Sequence, residues 1–240
     1  MIESYVAAAS TYARDIDALI ILIAVLVGFW LILCEAVLVG FVVKFRAKPG
    51  VPSQYITGEE KSQKRWITIP HILVLICDVF IIVGAVRIWH DVKQDLPPAH
   101  STIRIVSQQW AWSFVHPGPD GKLDTPDDIK TVDELHVAVG KVYHFELEAR
   151  DVIHSFSVPV FRLKQDAIPG RTITGWFEPS QTGVHDIQCA EICGIGHGVM
   201  AARIHIESSE RHAQWLHENA PTHDPDATRP LLTAQLAGGN

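Results

Sequence analysis

Methionine is nearly missing from this 240-residue chain, which has only Met1 and Met200. That disfavours a copper-trafficking protein, since such proteins hold soft monovalent copper with many thioethers. Cysteine is scarce too, four in all, with no zinc-type pairs and no Cys-x-x-Cys-His run. Zinc ribbons and covalently attached haem c are thereby excluded. Basic residues number 20 against 27 acidic ones, a net charge of −7. Nucleic acid is therefore not an expected partner, whereas a basic protein is a natural one. No short apolar core with a small-residue cleavage site opens the chain, so its first apolar run is read as retained.

Two long apolar runs are present, Ile16 to Val43 and Trp66 to Trp89. Each is long enough as a helix to cross a hydrocarbon core of roughly 30 Å. The loop between them carries Lys44, Arg46, Lys48, Lys61, Lys64 and Arg65, against Arg14 alone on the N-terminal flank. Positive charge stays inside, so the loop is expected in the cytoplasm and both termini outside. The expected location is a bacterial plasma membrane, crossed twice, with the rest of the chain on the periplasmic side. Trp66 and Trp89 stand where interfacial anchors belong, and Cys34 and Cys77 read as packing residues. Glu35 and Asp78 interrupt the apolar runs. A lone ionised carboxylate there costs roughly 3 kcal/mol, so each is expected to be protonated or partnered. They lie at similar depth, which suggests that they approach each other or line a face packed on another subunit.

After Pro97-Pro98 the pattern changes to short strands: 102–107, 110–115, 134–139, 142–149, 153–160, 171–178, 184–188 and 201–207. Many short strands broken by Gly, Pro and Asp turns predict a β-sandwich or closed barrel. An acidic insert, residues 119–128, lacks the EF-hand spacing. It is expected to be an exposed loop, possible as part of an acidic rim for a basic partner; calcium there is the lesser reading. His116, His136, His144, His185, His205 and His212 are expected at solvated positions. Residues 208–217 read as a short helix, and from Glu218 on the composition predicts disorder. The expected layout is thus 1–97 for the N-terminal segment and hairpin, 98–207 for the β domain, and 208–240 for helix and tail.

One run concentrates the chemistry: Cys189-Ala190-Glu191-Ile192-Cys193-Gly194-Ile195-Gly196-His197-Gly198-Val199-Met200. Thiolate and thioether are soft and imidazole is borderline, a mixture that suits copper. One Cys with His and a weak Met describes a mononuclear electron-transfer site. A second thiolate allows two copper ions to be bridged, and each then needs a further strong ligand. His197 supplies one imidazole, and His154 in Asp151-Val152-Ile153-His154-Ser155-Phe156 is the best upstream candidate for the other. The competing reading is a disulfide between Cys189 and Cys193.

The run Cys-x-Glu-x-Cys-x-x-x-His-x-x-Met, preceded by Asp-Val-x-His-Ser-Phe, resembles subunit II of cytochrome c oxidase and its binuclear copper site, CuA. Lys164 to Arg171 and Gln109-Trp110-Ala111-Trp112 are similar to that family as well, though it usually has Tyr where Ala111 stands. The resemblance implies a two-helix transmembrane hairpin followed by an all-β cupredoxin-like Greek-key barrel. It implies Cys189 and Cys193 as bridging thiolates, His154 and His197 as terminal imidazoles, and Met200 and the main-chain carbonyl of Glu191 as weak ligands. The Glu191 side chain would hold magnesium shared with subunit I. Trp110 would be the exposed residue through which electrons arrive, although two tryptophans two apart in a strand also suit one core. The implied partners are subunit I, which carries the haem, subunit III, membrane lipid and the donor cytochrome c. The implied function is transfer of electrons from cytochrome c to that haem for reduction of oxygen to water. Gln63 stands where the family has a glutamate at a proton-uptake path. That departure keeps open the CuA subunit of a nitric oxide reductase; a membrane-tethered copper-binding or delivery protein is the reading from another class.

Overall fold

The computed structural model describes residues 5–53 and 55–221; most of the predicted disordered tail lies outside them. The chain divides into two units, one holding the hairpin and one holding Ala9–Thr11 and everything from Pro97 on.

In the first unit, α1 (Ala13–Lys44) and α2 (Lys61–Trp89) pack on each other. Both are long and apolar enough to cross a membrane. The second starts five residues before the apolar run, because the polar turn that follows Glu60 joins the helix. Gln63 is committed locally: its side-chain oxygen accepts from the Gly58 amide at 2.9 Å. Trp66 and Trp89 are exposed, as anchors at an interface would be. Glu35 and Asp78 are exposed on the helix surfaces as well. The expected packing role does not hold for Cys34, which is exposed on the hairpin surface, while Cys77 is half-buried.

The second unit is a sandwich of two five-stranded sheets. The first orders β3 (Ile129–Val132), β2 (Ala111–His116), β1 (Ser101–Gln108), β5 (Tyr143–Ala149) and β8 (Ile173–Phe177). The second orders β4 (Glu134–Ala138), β10 (Ala201–Glu207), β9 (Gly183–Cys189), β6 (His154–Val158) and β7 (Leu163–Ala167). Pairing is antiparallel except between β1 and β5 and between β4 and β10. Strict alternation along β5 turns Tyr143, Phe145, Leu147 and Ala149 inward. They meet Trp112, Phe114, Phe156 and Phe177 in an aromatic core with ring centroids 5.5–6.4 Å apart. Ala9–Thr11 joins this unit: Ala9 donates to Val160 O, Ser180 donates to Ala9 O, and the Ser10 hydroxyl donates to Phe161 O.

Ten strands stand where eight were expected. The two extra ones, β3 and β7, are both edge strands and carry Lys, Thr, Gln and Asp, so one face never needs to be apolar. The expected strand 153–160 ends at Val158, because Pro159 opens a helical turn. After β10, α3 (Ser209–Asn219) is capped by Ser208, whose hydroxyl accepts from the Arg211 amide, and docks through buried Trp215.

The acidic insert is the exposed loop expected of it. It follows His116, at the opposite end of β2 from Trp110, a separation of about 20 Å at 3.3 Å per residue. Its carboxylates serve the loop: Asp127 accepts from the Asp120 amide, Asp128 from the Asp124 amide, and Asp124 takes a paired contact from Arg104. The expectation of solvated histidines fails for two of the six. His116 and His136 are buried and the other four half-buried. His136 stacks on His205 and on Trp215, and His116 meets Trp215 edge-on.

Candidate metal centre

The end of the sandwich that carries Gln108 and Ala111 also carries the 189–200 loop. β9 delivers Cys189 and β10 departs after Met200, and the Cys189 amide donates to Met200 O across the base of the loop. Helical turns through 194–200 fold the chain back, with His197 N donating to Gly194 O and Met200 N to His197 O. Gly194 adopts φ 118°, which L side chains rarely reach. β6 lies beside β9, with Phe156 opposite Cys189, and so brings His154 to the same spot.

The six expected donor residues converge. The two sulfurs lie 3.7 Å apart and are not bonded to each other. His154 Nδ1 is 3.9 Å from Cys189 Sγ, and His197 Nδ1 is 3.6 Å from Cys193 Sγ. Met200 Sδ is 3.9 Å from Cys193 Sγ, and Glu191 O is 3.3 Å from Cys189 Sγ. Two donors bound to one ion at about 2.1 and 2.3 Å with a tetrahedral angle sit about 3.6 Å apart. The observed spacings therefore suit ligation better than hydrogen bonding. His154, Cys189, Cys193 and Met200 are buried, while His197 is half-buried and the Glu191 side chain points to solvent.

The electrostatics agree with a cation here. Burial, then the neighbouring Cys189, push the Cys193 thiol up to about 11. A nearby positive charge would favour the ionised Cys193 thiolate there. Behind His154, Asp151 Oδ1 lies 2.9 Å from Nε2 and orients the ring with Nδ1 toward the sulfur. Partial burial works against the Asp151 carboxylate. Hydrogen bonds from His154 and from the Gln109 and Val152 amides outweigh it and hold its pKa below the ordinary range.

Trp110 is half of the two-residue turn, Gln109-Trp110, between β1 and β2. Outside the strand, it escapes the alternation that would have paired it with Trp112. Trp112 is fully buried against His154 and Phe156, whereas Trp110 is 38% exposed. The Trp110 indole donates to Cys193 O at 3.2 Å, and Gln109 Nε2 donates to the same oxygen at 2.8 Å. Gln109 and Asp151 are the two contributors that sequence reasoning missed; each was inside a quoted motif, and only the fold reveals what its side chain holds. In the 189–200 loop, whose Gly194 and Gly196 lie against Trp110, the apolar side chains of Ile192, Ile195 and Val199 are exposed, Ile195 at 96%.

The cytochrome c oxidase subunit II periplasmic-domain family matches residues 113–208. An alternative cytochrome c oxidase subunit 2 of Bradyrhizobium diazoefficiens is 29% identical over 200 residues, covering 74% of this chain and 70% of the relative. A probable cytochrome c oxidase subunit 2 of Rickettsia felis is 32% identical over 201 residues, 78% of this chain and 62% of the relative. The crystal structure of the periplasmic domain of subunit II of cytochrome oxidase (CoxB) of Bradyrhizobium japonicum is 30% identical. It aligns with 52% of this chain and 96% of its own, with a TM-score of 0.47. The family's domain thus covers the strands that carry the converged donors. The matched domain, residues 113–208, belongs to the cytochrome c oxidase subunit II periplasmic-domain family, and two helices long and apolar enough to cross a membrane precede it.

Proposed function

We propose that this chain receives electrons from cytochrome c at a binuclear copper centre, CuA, and passes them to haem in a partner subunit I, where oxygen is reduced to water. The observation that carries this reading is the unbroken chain of six donors, none more than 3.9 Å from the next. Cys189 and Cys193 are placed for sharing between two ions. His154 and His197 stand at the ends, with Met200 and the Glu191 carbonyl as weak ligands. Copper at this position supplies one-electron redox chemistry. The chain's own residues supply the frame: three strands and two short turns hold the donors, so little moves when the charge changes. Phe156 and Trp112 keep water away from the His154 side.

Trp110 is the residue for electron arrival, because its indole bridges solvent and the main chain of Cys193. The exposed side chains of Ile192, Ile195 and Val199 give a docking partner a dry contact. The exposed Glu191 side chain can share magnesium only with ligands from the partner, since one carboxylate does not fill an octahedral ion. The basic interhelical loop supports a cytoplasmic turn in a bacterial plasma membrane, with the copper domain on the periplasmic face.

Purification from native membranes tests the whole reading. The expected result is a mixed-valence dicopper EPR signal together with haem, and oxygen consumption driven by reduced cytochrome c. Copper-free protein with Cys189 and Cys193 joined overturns it. Gln63 favours one second reading, the CuA subunit of a nitric oxide reductase. Turnover of nitric oxide but not oxygen by the same preparation selects it. Purification alone, without haem-bearing partners, selects a delivery protein.

A further inference from the structure

A second group of ligating side chains lies away from the 189–200 loop, on the outer sheet between β4 and β10. His136 on β4 stands opposite His205 on β10 in the parallel register. Their rings stack with centroids 4.4 Å apart and planes 4° apart. Trp215 of α3 stacks on His136 as well, at 4.2 Å. The ring faces of His136 are thus spent on packing, and its two nitrogens remain for polar partners.

Those nitrogens face two different carboxylates. Nδ1 lies 3.4 Å from Glu207 Oε1, and Nε2 lies 3.9 Å from Glu134 Oε2. One donor atom from each of Glu134, His136 and His205 falls within 4.8 Å of the others. His205 Nε2 is buried and has no hydrogen-bond partner. Leaving such a group unpaired costs about 1–3 kcal/mol, so its position calls for a ligand.

We propose that Glu134, His136 and His205 form a second metal site, which takes one divalent ion of borderline softness, zinc(II) or copper(II). Two imidazoles and one carboxylate are the donor set such ions accept, with water completing the shell. Glu207 Oε1 faces His136 Nδ1 at 3.4 Å without a formed hydrogen bond. A carboxylate on that side favours the proton on Nδ1 and leaves the Nε2 lone pair to the Glu134 side. Burial, then the neighbouring His205, also hold the His136 pKa down at about 4, so at neutral pH the ring is in its ligating form. Donors sharing one ion sit about 3.4 Å apart. Closing to that distance asks movement of Glu134, whose side chain is 60% exposed, and rotation of His205 out of the stack, since parallel rings cannot both aim a lone pair at one ion, while His136 stays held against Trp215. His116 is not a ligand: its Nε2 accepts from the His136 amide at 3.1 Å, which leaves the proton on Nδ1.

The test uses full-length protein in detergent, loaded with copper and then dialysed against zinc chloride, with metals counted by mass spectrometry. Wild type is expected to retain one zinc per chain more than either Glu134→Gln or His205→Gln. All three should keep the same visible copper spectrum, which also reports that the variants are folded. Equal zinc in wild type and both variants, or none in wild type, overturns the proposal. So does zinc uptake matched by copper loss, since that places zinc in the 189–200 loop. The zinc difference between wild type and variants can be read even if copper fails to load, so this site stands or falls apart from the copper reading.

Discussion

The indole N–H of Trp110 donates to the main-chain oxygen of Cys193 at 3.2 Å, which ties an exposed aromatic ring to one of the two clustered cysteines through one hydrogen bond. Gly196 makes the contact possible. A Cβ there would lie 2.8 Å from Trp110 Cε3 and closer still to Cγ and Cδ2. The ring therefore rests directly on the backbone of the ligand loop.

Trp110→Phe keeps the ring and removes the donor. Electron uptake from reduced cytochrome c, followed by stopped flow, is expected to slow by about tenfold or more, roughly 1.4 kcal/mol of barrier. The copper spectrum should persist. Gly196→Ala should give the same slowing by lifting the ring off the loop. If the spectrum vanishes with Trp110→Phe, the ring is a support for the metal and not its electronic contact.

Asp151 accepts from His154 and from two main-chain amides at once. Asp151→Ala removes all three bonds and frees the His154 ring to rotate. Copper affinity is expected to fall about 10- to 100-fold, measured by competition with a chelator. Asp151→Asn should fall between, because one amide oxygen can still accept. Unchanged affinity in Asp151→Ala would mean that packing of Trp112 and Phe156 alone fixes His154.

Much of this was legible in the sequence because local spacing carried it. Cys189, Cys193, His197 and Met200 fall in one loop, so their convergence needed only turns. His154 required a longer step, yet its neighbours Asp151, Ser155 and Phe156 marked it. The two membrane helices were plain from uninterrupted apolar length. What could not be read is what depends on pairing between distant strands. β3 and β7 are edge strands with polar faces, so no alternation announced them. The histidine cluster is assembled from β2, β4, β10 and α3, and no spacing within one segment hints at it. The position of the acidic insert followed only once β2 was known to run away from Trp110.

His116 is wholly buried, and burial, then the proximity of His136, lower its pKa to about 3. The unfolded chain has an ordinary imidazole near pH 6.5. The unfolded state therefore binds a proton first as pH falls. Stability is full above about pH 6.5 and is lost progressively down to about pH 3. His136, at about 4, and His212, also lowered by burial, act in the same direction. The facing groups are Glu134, His205, Glu207, Arg211 and Trp215. Thermal midpoints should drop steeply between neutral pH and about pH 4. Substituting His116 with Asn should flatten that slope while lowering the midpoint at neutral pH, because the His136 amide loses its acceptor. A slope identical to wild type would show that other groups set the acid limit.

The acidic insert gives a prediction opposite to the one its composition suggests. Asp120 and Asp127 sit about 20 Å from Trp110 along β2, and the screening length at physiological salt is about 8 Å. Neutralising them should leave the rate of electron uptake from cytochrome c within about twofold of wild type at that salt. Asp120→Ala with Asp127→Ala also removes the hydrogen bonds by which the loop holds its own amides, so that pair should speed proteolytic nicking between residues 118 and 128. Faster cutting with unchanged uptake identifies these carboxylates as a local clasp. A marked fall in uptake would instead place the docking surface for cytochrome c on the end of the sandwich far from the 189–200 loop, and the path through Trp110 would have to be abandoned.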